Sequence, residues 1–91
     1  MINSSIPKEN IPNLKFPNTE VLKKKLDQKK RYWELQRALV LGNLERQKVK
    51  IIFEDTMGIK TVETTIWGIT DTQVILKQAI LIPLQRIIDI R

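Results

Sequence analysis

The first pattern of apolar positions along the chain predicts a helix that begins soon after Pro17. Large apolar residues recur at spacings of four and seven, which places them on one helical stripe: Leu22, Leu26, Trp33, Val40 and Leu44. Asn18 or Thr19 can cap this helix, and the Gly-Asn pair at 42–43 is typical of a helix end. We therefore expect a helix over about residues 19–43, with the stripe facing the core.

From about residue 46 the apolar period changes to two, which is typical of strands. Isoleucine, valine and threonine account for 19 of the 41 residues from 51 to 91, and such β-branched side chains favour strands. We expect five strands: around 49–53, over 59–70 with a bend or bulge at Gly68, and over 73–77, 79–82 and 87–90. A turn at 55–58, with Gly58 at positive φ, joins the first two. A short turn begins at Pro83.

The N-terminal segment repeats an apolar-proline pair every five residues: Ile6-Pro7, Ile11-Pro12 and Phe16-Pro17. Proline fixes φ and pushes the preceding residue towards extended geometry, so this segment is not expected to be helical. Two interpretations stay open. Residues 1–18 are a flexible, proline-containing arm, or they form an extended strand whose apolar residues dock on a neighbouring subunit. We take the arm as flexible and residues 19–91 as one folded domain.

One helix followed by five short antiparallel strands is the plan of a small barrel. The chain has 91 residues, a length at which one domain with a small core is expected. Closing the sheet would remove most of its exposed edges. The expected fold class is therefore mainly β with one N-terminal α-helix, in which a five-stranded, strongly bent antiparallel barrel spans about residues 46–91.

Two segments of this plan resemble the motifs of the Sm-like family, which includes the bacterial Hfq-type proteins. Residues 48–77, KVKIIFEDTMGIKTVETTIWGITDTQVILK, resemble the first Sm motif, and residues 79–90, AILIPLQRIIDI, resemble the second. Gly58 stands where the family has its hairpin glycine, and Asp71 where it has an acidic residue after the bent strand. The ETTIW and IPLQRI segments also look like those of other small bacterial proteins.

The resemblance covers about residues 19–91 and implies an SH3-like or Sm-like barrel that binds RNA as an oligomer. Family members hold bases with a stacking side chain and an Asn or other polar partner in the third loop. Here that loop is TDTQ at 70–73, with no aromatic residue and no Asn. Leu84-Gln85-Arg86 replaces the family's second-motif signature, and within it only Arg86 matches the cationic part.

Composition removes several classes of function. The absence of cysteine and histidine excludes disulfide scaffolds, thiol catalysis and cysteine-ligated metals, and it removes the commonest general base. The adjacent carboxylates Glu54 and Asp55 would point to opposite faces of a strand. No glycine-rich phosphate loop is present. We expect no enzyme, metal, cofactor or small-molecule substrate.

Hydropathy and the first residues of the chain indicate the cellular compartment of the protein. Even the longest apolar run is far shorter than the ~20 residues of a membrane span. The start, MINSSIPKEN, lacks the basic and apolar regions of a secretory signal. We therefore expect a cytoplasmic protein without a membrane partner.

The net charge of +6 is concentrated in the first half, where residues 1–50 hold 12 Lys and Arg against 5 Asp and Glu. The candidate nucleic-acid-binding residues are the run at the start of the helix and one later arginine: Lys23, Lys24, Lys25, Lys29, Lys30, Arg31 and Arg86. Such a cluster can neutralise phosphates, and Tyr32 and Trp33 could stack on bases if exposed. The alternatives are a solvated face that keeps the protein soluble and, for Trp33, a place in the core.

The last strands are apolar on both faces. A strand of this kind needs cover on both sides, and a small barrel has a single interior, so we expect a homo-oligomer, possibly a ring. The candidate interface residues are Ile80, Leu81, Ile82, Ile87, Ile88 and Ile90. Trp67, beside the predicted bend, is expected under the helix or at a subunit contact.

Taken together, the sequence predicts a non-catalytic, oligomeric Sm-like module that binds RNA or another polyanion through its basic helix. The alternative is a protein-interaction or scaffold module with no nucleic-acid ligand, in which the charge only maintains solubility.

Overall fold

The strands of the computed structural model, which describes residues 4–91, form two sheets. The first has the order β1-β3-β2-β7 and the second the order β4-β5-β6. Their bounds are β1 Ser4–Ser5, β2 Val49–Asp55, β3 Gly58–Thr64, β4 Ile66–Ile69, β5 Gln73–Leu76, β6 Ile80–Pro83 and β7 Ile87–Ile90. All pairs are antiparallel except β1 with β3. The chain is thus mainly β with one N-terminal helix, as the sequence predicts.

The predicted closed barrel is wrong, because the long second strand is divided. Its two halves, β3 and β4, meet at Thr65 but belong to different sheets. The carbonyl of Thr65 accepts a hydrogen bond from the N–H of Lys77 instead of continuing the first ladder. A register shift between Ile66 and Gly68 in the β4–β5 pair confirms the irregularity predicted near Gly68.

The hairpin between β2 and β3 follows its sequence signature. The Asp55 carboxylate accepts hydrogen bonds from the N–H groups of Met57 and Gly58, at 2.8 and 2.9 Å. Gly58 has a φ of 135°, a conformation that side chains with a Cβ rarely adopt. Lys60 closes the turn with an ion pair of 2.9 Å to Asp55. The predicted turn at 55–58 is therefore confirmed.

The helix, α1, spans Lys25–Glu45 rather than about 19–43. It starts late because hydrogen bonds hold the preceding residues outside the helix: Val21 N–H donates to the Gln85 carbonyl at 3.0 Å, and Leu22 N–H donates to the Glu20 carboxylate. It ends late because Gly42 remains helical. The N–H of Arg46, which has a φ of 55°, closes the last turn on the Gly42 carbonyl.

The side of α1 that faces the sheets is opposite to the predicted one. The buried helix residues, at spacings of four, three and four, are Arg31, Leu35, Ala38 and Gly42. The helix contacts β4 and β7 and so bridges the two sheets. The predicted stripe faces solvent instead, with Leu26 77%, Trp33 67%, Val40 53% and Leu44 78% exposed. Helical periodicity identifies an apolar stripe, but it does not show whether that stripe or the opposite face of the helix contacts the core.

The N-terminal segment, predicted as a flexible arm or as a strand on a neighbour, lies against its own chain from residue 4 onward. A 3₁₀ segment, Lys8–Asn13, buries Ile11, which is 1% exposed. Ile6 N–H donates to the Thr61 carbonyl, and the Phe16 ring lies 5.9 Å from the Phe53 ring. Residues 1–3 of the predicted arm lie outside the described residues. The core thus includes residues from both ends of the chain.

The close approach of α1 to β4 generates a stability prediction. A Cβ at Gly42 would lie 2.8 Å from the Ile66 carbonyl oxygen and 2.9 Å from Thr65 Cγ2, so Gly42→Ala forces helix and strand apart. The gain of up to ~1 kcal/mol in helix propensity does not offset this, and we expect a net loss of about 1–3 kcal/mol in unfolding free energy by urea denaturation.

The control is Gly68→Ala, where the nearest atom, Ile75 Cδ1, is 3.4 Å from the added Cβ and belongs to a flexible side chain. This variant should lose less stability than Gly42→Ala. Wild-type stability in Gly42→Ala would mean that the helix does not approach β4 this closely.

Candidate functional site

The predicted lysines at the start of the helix are open to solvent. Lys23, Lys24, Lys25, Lys29 and Lys30, called the lysine cluster below, are all exposed. Within residues 4–91 none of the five takes part in an ion pair. Lys23 Nζ donates to the Glu20 carbonyl at 3.0 Å. The other four ammonium groups are free to meet an anion.

Two aromatic rings lie beside this cluster. Tyr32 is 52% and Trp33 67% exposed, so the predicted core position of Trp33 is wrong. The rings contact edge to face, with centroids 5.3 Å apart and an interplanar angle of 78°. With Lys25, Gln28 and Lys29 they line an open cleft of about 260 Å³, called the outer cleft. Helical spacings of three and four bring these five side chains to one face.

A second cleft lies on the other side of Tyr32, between α1 and the turn after β4. It has a volume of about 360 Å³ and shares Tyr32 and Gln28 with the outer cleft; it is called the inner cleft. The remaining lining residues are Arg31, Leu35, Gln36, Ile69, Thr70, Asp71 and Leu84. The sequence did not reveal this cleft, because its walls come from segments more than thirty residues apart that only the packing of α1 on β4 brings together.

Arg31, predicted to contact nucleic acid, is buried and 6% exposed. Its guanidinium forms two hydrogen bonds of 2.7 Å to the Glu20 carboxylate and one of 2.9 Å to the Ile87 carbonyl. The sequence prediction fails because Arg31 lies on the inward face of α1, one turn from Leu35. Its charge anchors residues 20–24 to the helix and is not available to a phosphate.

Arg86 is also buried, at 5% exposure. Its Nε donates to the Glu54 carbonyl at 3.0 Å, and its Nη1 donates to the carbonyl and hydroxyl oxygens of Thr19 at 2.8 and 3.0 Å. A weaker ion pair of 3.6 Å joins it to the Glu54 carboxylate. The resemblance implied a ligand-binding cation here, but the guanidinium is buried and bound to its own chain.

Half of the predicted oligomer interface is already covered. Ile82 and Ile87 are 0% exposed, and Ile90 is 8% exposed, so these three side chains cannot contact a second copy. The 3₁₀ segment Lys8–Asn13 lies against β6 and α1 against β7, which supplies the cover that the sequence assigned to a neighbour. Ile80 and Ile88 are half-buried, while Leu81 is 49% exposed.

Trp67 is 51% exposed, so it is not buried under the helix, and of its two predicted places a subunit contact stays a prediction. It borders a cleft of about 380 Å³ at the far end of α1, whose other lining residues are Gly42, Asn43, Arg46, Lys48, Thr65 and Lys77. Ile66 fills the core, and the alternation of side chains along β4 places the next residue, Trp67, on the outer face. This third aromatic ring beside cations was not anticipated from the sequence.

Two carboxylates, Glu34 of α1 and Asp89 of β7, lie close together where the helix faces β7. Burial, together with the negative charge of Asp89, raises the pKa of Glu34 above its usual value. Burial acts in the same direction on Asp89, but hydrogen bonds from Arg91 and the Ile90 N–H outweigh it and hold the pKa of Asp89 below its usual value. Among residues 4–91 no cluster of three or more carboxylates is placed to hold a metal ion.

The Glu20–Arg31 pair generates a pH prediction. Burial of Glu20 opposes its ionisation, but the hydrogen bonds from Arg31 and the Leu22 N–H prevail and lower the pKa of Glu20 below its ordinary 4.5. The pair therefore stabilises the fold above about pH 4.5, and this contribution is lost as the pH falls through the lowered pKa.

Glu20→Gln should accordingly lower the unfolding free energy by about 2 kcal/mol at neutral pH, because it leaves a buried guanidinium without its counter-charge. Denaturant unfolding of both proteins between pH 7 and pH 3 checks this. The two curves should converge at the acid end, and a difference that stays constant with pH would contradict the ion-pair account.

No helix of the described chain combines the length and apolarity that crossing a bilayer requires. Comparison with family models, with curated proteins and with solved structures gives no match for the chain. The candidate site therefore rests on its own geometry: a free lysine cluster, two exposed aromatic rings and the two clefts that Tyr32 separates.

Proposed function

We propose that the protein is a non-catalytic module that binds single-stranded nucleic acid through the lysine cluster of α1. The observation that carries this proposal is the exposed Tyr32–Trp33 pair directly beside Lys25 and Lys29 in the outer cleft. Cations that follow the backbone, together with aromatic rings on which bases stack, are what proteins that bind single strands use.

The position of the lysines on the helix supports a role in binding. The N-terminal end of a helix carries a partial positive charge, so cations there are unfavourable. Lys24 occupies the N-cap without a side-chain capping bond, and Lys25 begins the helix. Stability and capping alone therefore favour other residues at these positions, whereas attraction of an external polyanion accounts for them.

The solvated-face alternative explains charge but not the neighbouring rings. Solubility is served by lysines anywhere on the surface, whereas exposed tryptophan and tyrosine work against it. Both rings are more than half exposed, and each lies within one helical turn of a lysine of the cluster. Their combination favours a ligand that is both anionic and able to stack.

Replacing two lysines tests the electrostatic part. Lys25→Gln with Lys29→Gln should weaken binding of a fluorescent octauridylate and should reduce the slope of log affinity against log salt by about 1.4, since each phosphate contact on a single strand contributes roughly 0.7. Fluorescence anisotropy titrations at several salt concentrations give both quantities.

The matched control is Lys15→Gln with Lys50→Gln, two exposed lysines outside the cluster whose removal changes the net charge by the same amount. In this control variant, the slope of log affinity against log salt should stay close to that of the wild-type protein. Equal slopes for the two double variants would mean that net charge alone attracts the polyanion, and the proposed site would be wrong.

A second candidate function, a self-associating interaction module, is favoured by the exposed apolar stripe of α1. Leu26 and Leu44 are 77% and 78% exposed and lie equally far along the helix from Leu35. If two copies of α1 pair antiparallel, with a two-fold axis passing at the level of Leu35, Leu26 of each copy would face Leu44 of the other. Trp33 would then lie next to Arg37 of the other copy, as a cation–π contact requires.

Sedimentation equilibrium distinguishes this candidate. If the stripe pairs two copies, the wild-type protein dimerises at micromolar concentration, and Leu26→Gln with Leu44→Gln shifts it to monomer. Met57→Gln, which changes another apolar side chain with 85% exposure in the β2–β3 turn, should leave the dimer intact. A monomeric wild-type protein would exclude this candidate and leave the lysine cluster unaffected.

A further inference from the structure

We infer, on the basis of the proposed function, that the inner cleft receives one unpaired nucleobase and prefers guanine. Size is the first requirement. The volume of the inner cleft, about 360 Å³, lies within the range of small-molecule sites, about 300–1,000 Å³. The outer cleft, of about 260 Å³, adjoins it, so a nucleotide can place its base in one and its phosphate in the other.

The inner cleft offers the two kinds of surface that a base needs. Leu35, Ile69 and Leu84 supply an apolar floor, and the Tyr32 ring forms the wall shared with the outer cleft. A base entering beside Tyr32 has an aromatic face on which to stack, which contributes about 1–3 kcal/mol per base in single-strand complexes. A base inside a duplex has its faces covered, so the cleft selects unpaired bases.

Polar groups at the rim can read the edge of that base. They are the amide of Gln36, the amide oxygen of Gln28, whose Nε2 donates to the Leu22 carbonyl, and the carboxylate of Asp71. Asp71 is exposed, and among residues 4–91 its carboxylate takes part in no ion pair and accepts no hydrogen bond. A carboxylate accepts two parallel hydrogen bonds only from adjacent N–H groups, and guanine is the base that presents such a pair on its Watson–Crick edge.

The turn that carries Asp71 is fixed by its own hydrogen bonds. The Thr70 hydroxyl accepts from the N–H groups of Thr72 and Gln73, at 3.3 and 3.0 Å. Thr70 N–H donates to the Gln73 carbonyl at 2.8 Å. The backbone that carries Asp71 is therefore held in place before a ligand arrives, so binding has to order only the Asp71 side chain.

Charge orients the nucleotide across Tyr32. Lys25 and Lys29 lie in the outer cleft and Asp71 in the inner one, so a phosphate is attracted to the first and repelled by the second. The base accordingly points towards Asp71. The buried Arg31 also borders the inner cleft but is held by Glu20, which prevents it from drawing the phosphate inward.

The test uses the full chain, two oligonucleotides and three variants, with a duplex, heparin and phosphatidylserine vesicles as comparison ligands. The probes are octauridylate and the same octamer with one central guanosine, titrated by fluorescence anisotropy at fixed salt. The wild-type protein should prefer the guanosine oligomer by about tenfold, a typical discrimination for a bidentate contact. Asp71→Asn should abolish the preference, while its binding of octauridylate is retained or strengthened because a negative charge is removed.

The charge-matched control is Glu63→Gln on β3, an exposed carboxylate that borders neither cleft. It should keep the guanosine preference. Tyr32→Leu should lower the affinity for both single strands about tenfold and bring it close to that for a duplex of equal length. Tyr32 is 52% exposed, and an unchanged urea midpoint confirms that the variant is folded.

Each outcome separates the inference from the proposal on which it rests. Salt-sensitive binding with equal affinity for both octamers, for a duplex and for heparin would overturn the base-binding cleft and leave the lysine cluster supported. Binding of phosphatidylserine vesicles with no binding of either octamer would overturn both in favour of a lipid surface. Loss of the guanosine preference in Glu63→Gln would show that net charge, and not Asp71, decides the preference.

Discussion

The buried guanidinium of Arg31 is the interaction on which the arrangement of this chain depends. A charge with 6% exposure costs several kcal/mol unless it is paired and hydrogen-bonded. Glu20 and the carbonyl of Ile87 meet that requirement. These contacts tie the segment around Glu20 to the helix and join the helix to the last strand. The start of α1 and its orientation about its own axis follow from this one contact.

The orientation of α1 decides what the protein shows to solvent. With Arg31, Leu35, Ala38 and Gly42 turned inward, the lysine cluster, both neighbouring aromatic rings and the apolar stripe are turned outward. Gly42 allows the close approach to β4, and that approach forms the inner cleft beside Asp71. Packing of the core and exposure of the proposed binding surface are thus two consequences of the same helix placement.

The second buried arginine has a parallel role. Arg86 joins the turn before β7 to Thr19 and to β2, so residues 19–24 are held from both sides. The N-terminal segment then covers β6 with Ile11. Covering the sheet in this way consumes apolar surface that the sequence had assigned to a second copy. The apolar stripe on the outer face of α1 stays exposed.

The sequence by itself determined the elements whose signals are local. The turn at Gly58, the last strand from Ile87 to Ile90 and the exposed lysines all follow from backbone preferences and charge acting within a few residues. It did not determine the inward face of α1. Leu26, Trp33, Val40 and Leu44 make as good a helical stripe as the true core face, and Arg31 is an unfavourable core residue until Glu20 and the Ile87 carbonyl are brought to it. Such partners lie far apart along the chain, and only tertiary packing brings them within hydrogen-bonding distance. For the same reason the division at Thr65 into two sheets and the cleft between Tyr32 and Asp71 belong to the folded structure alone.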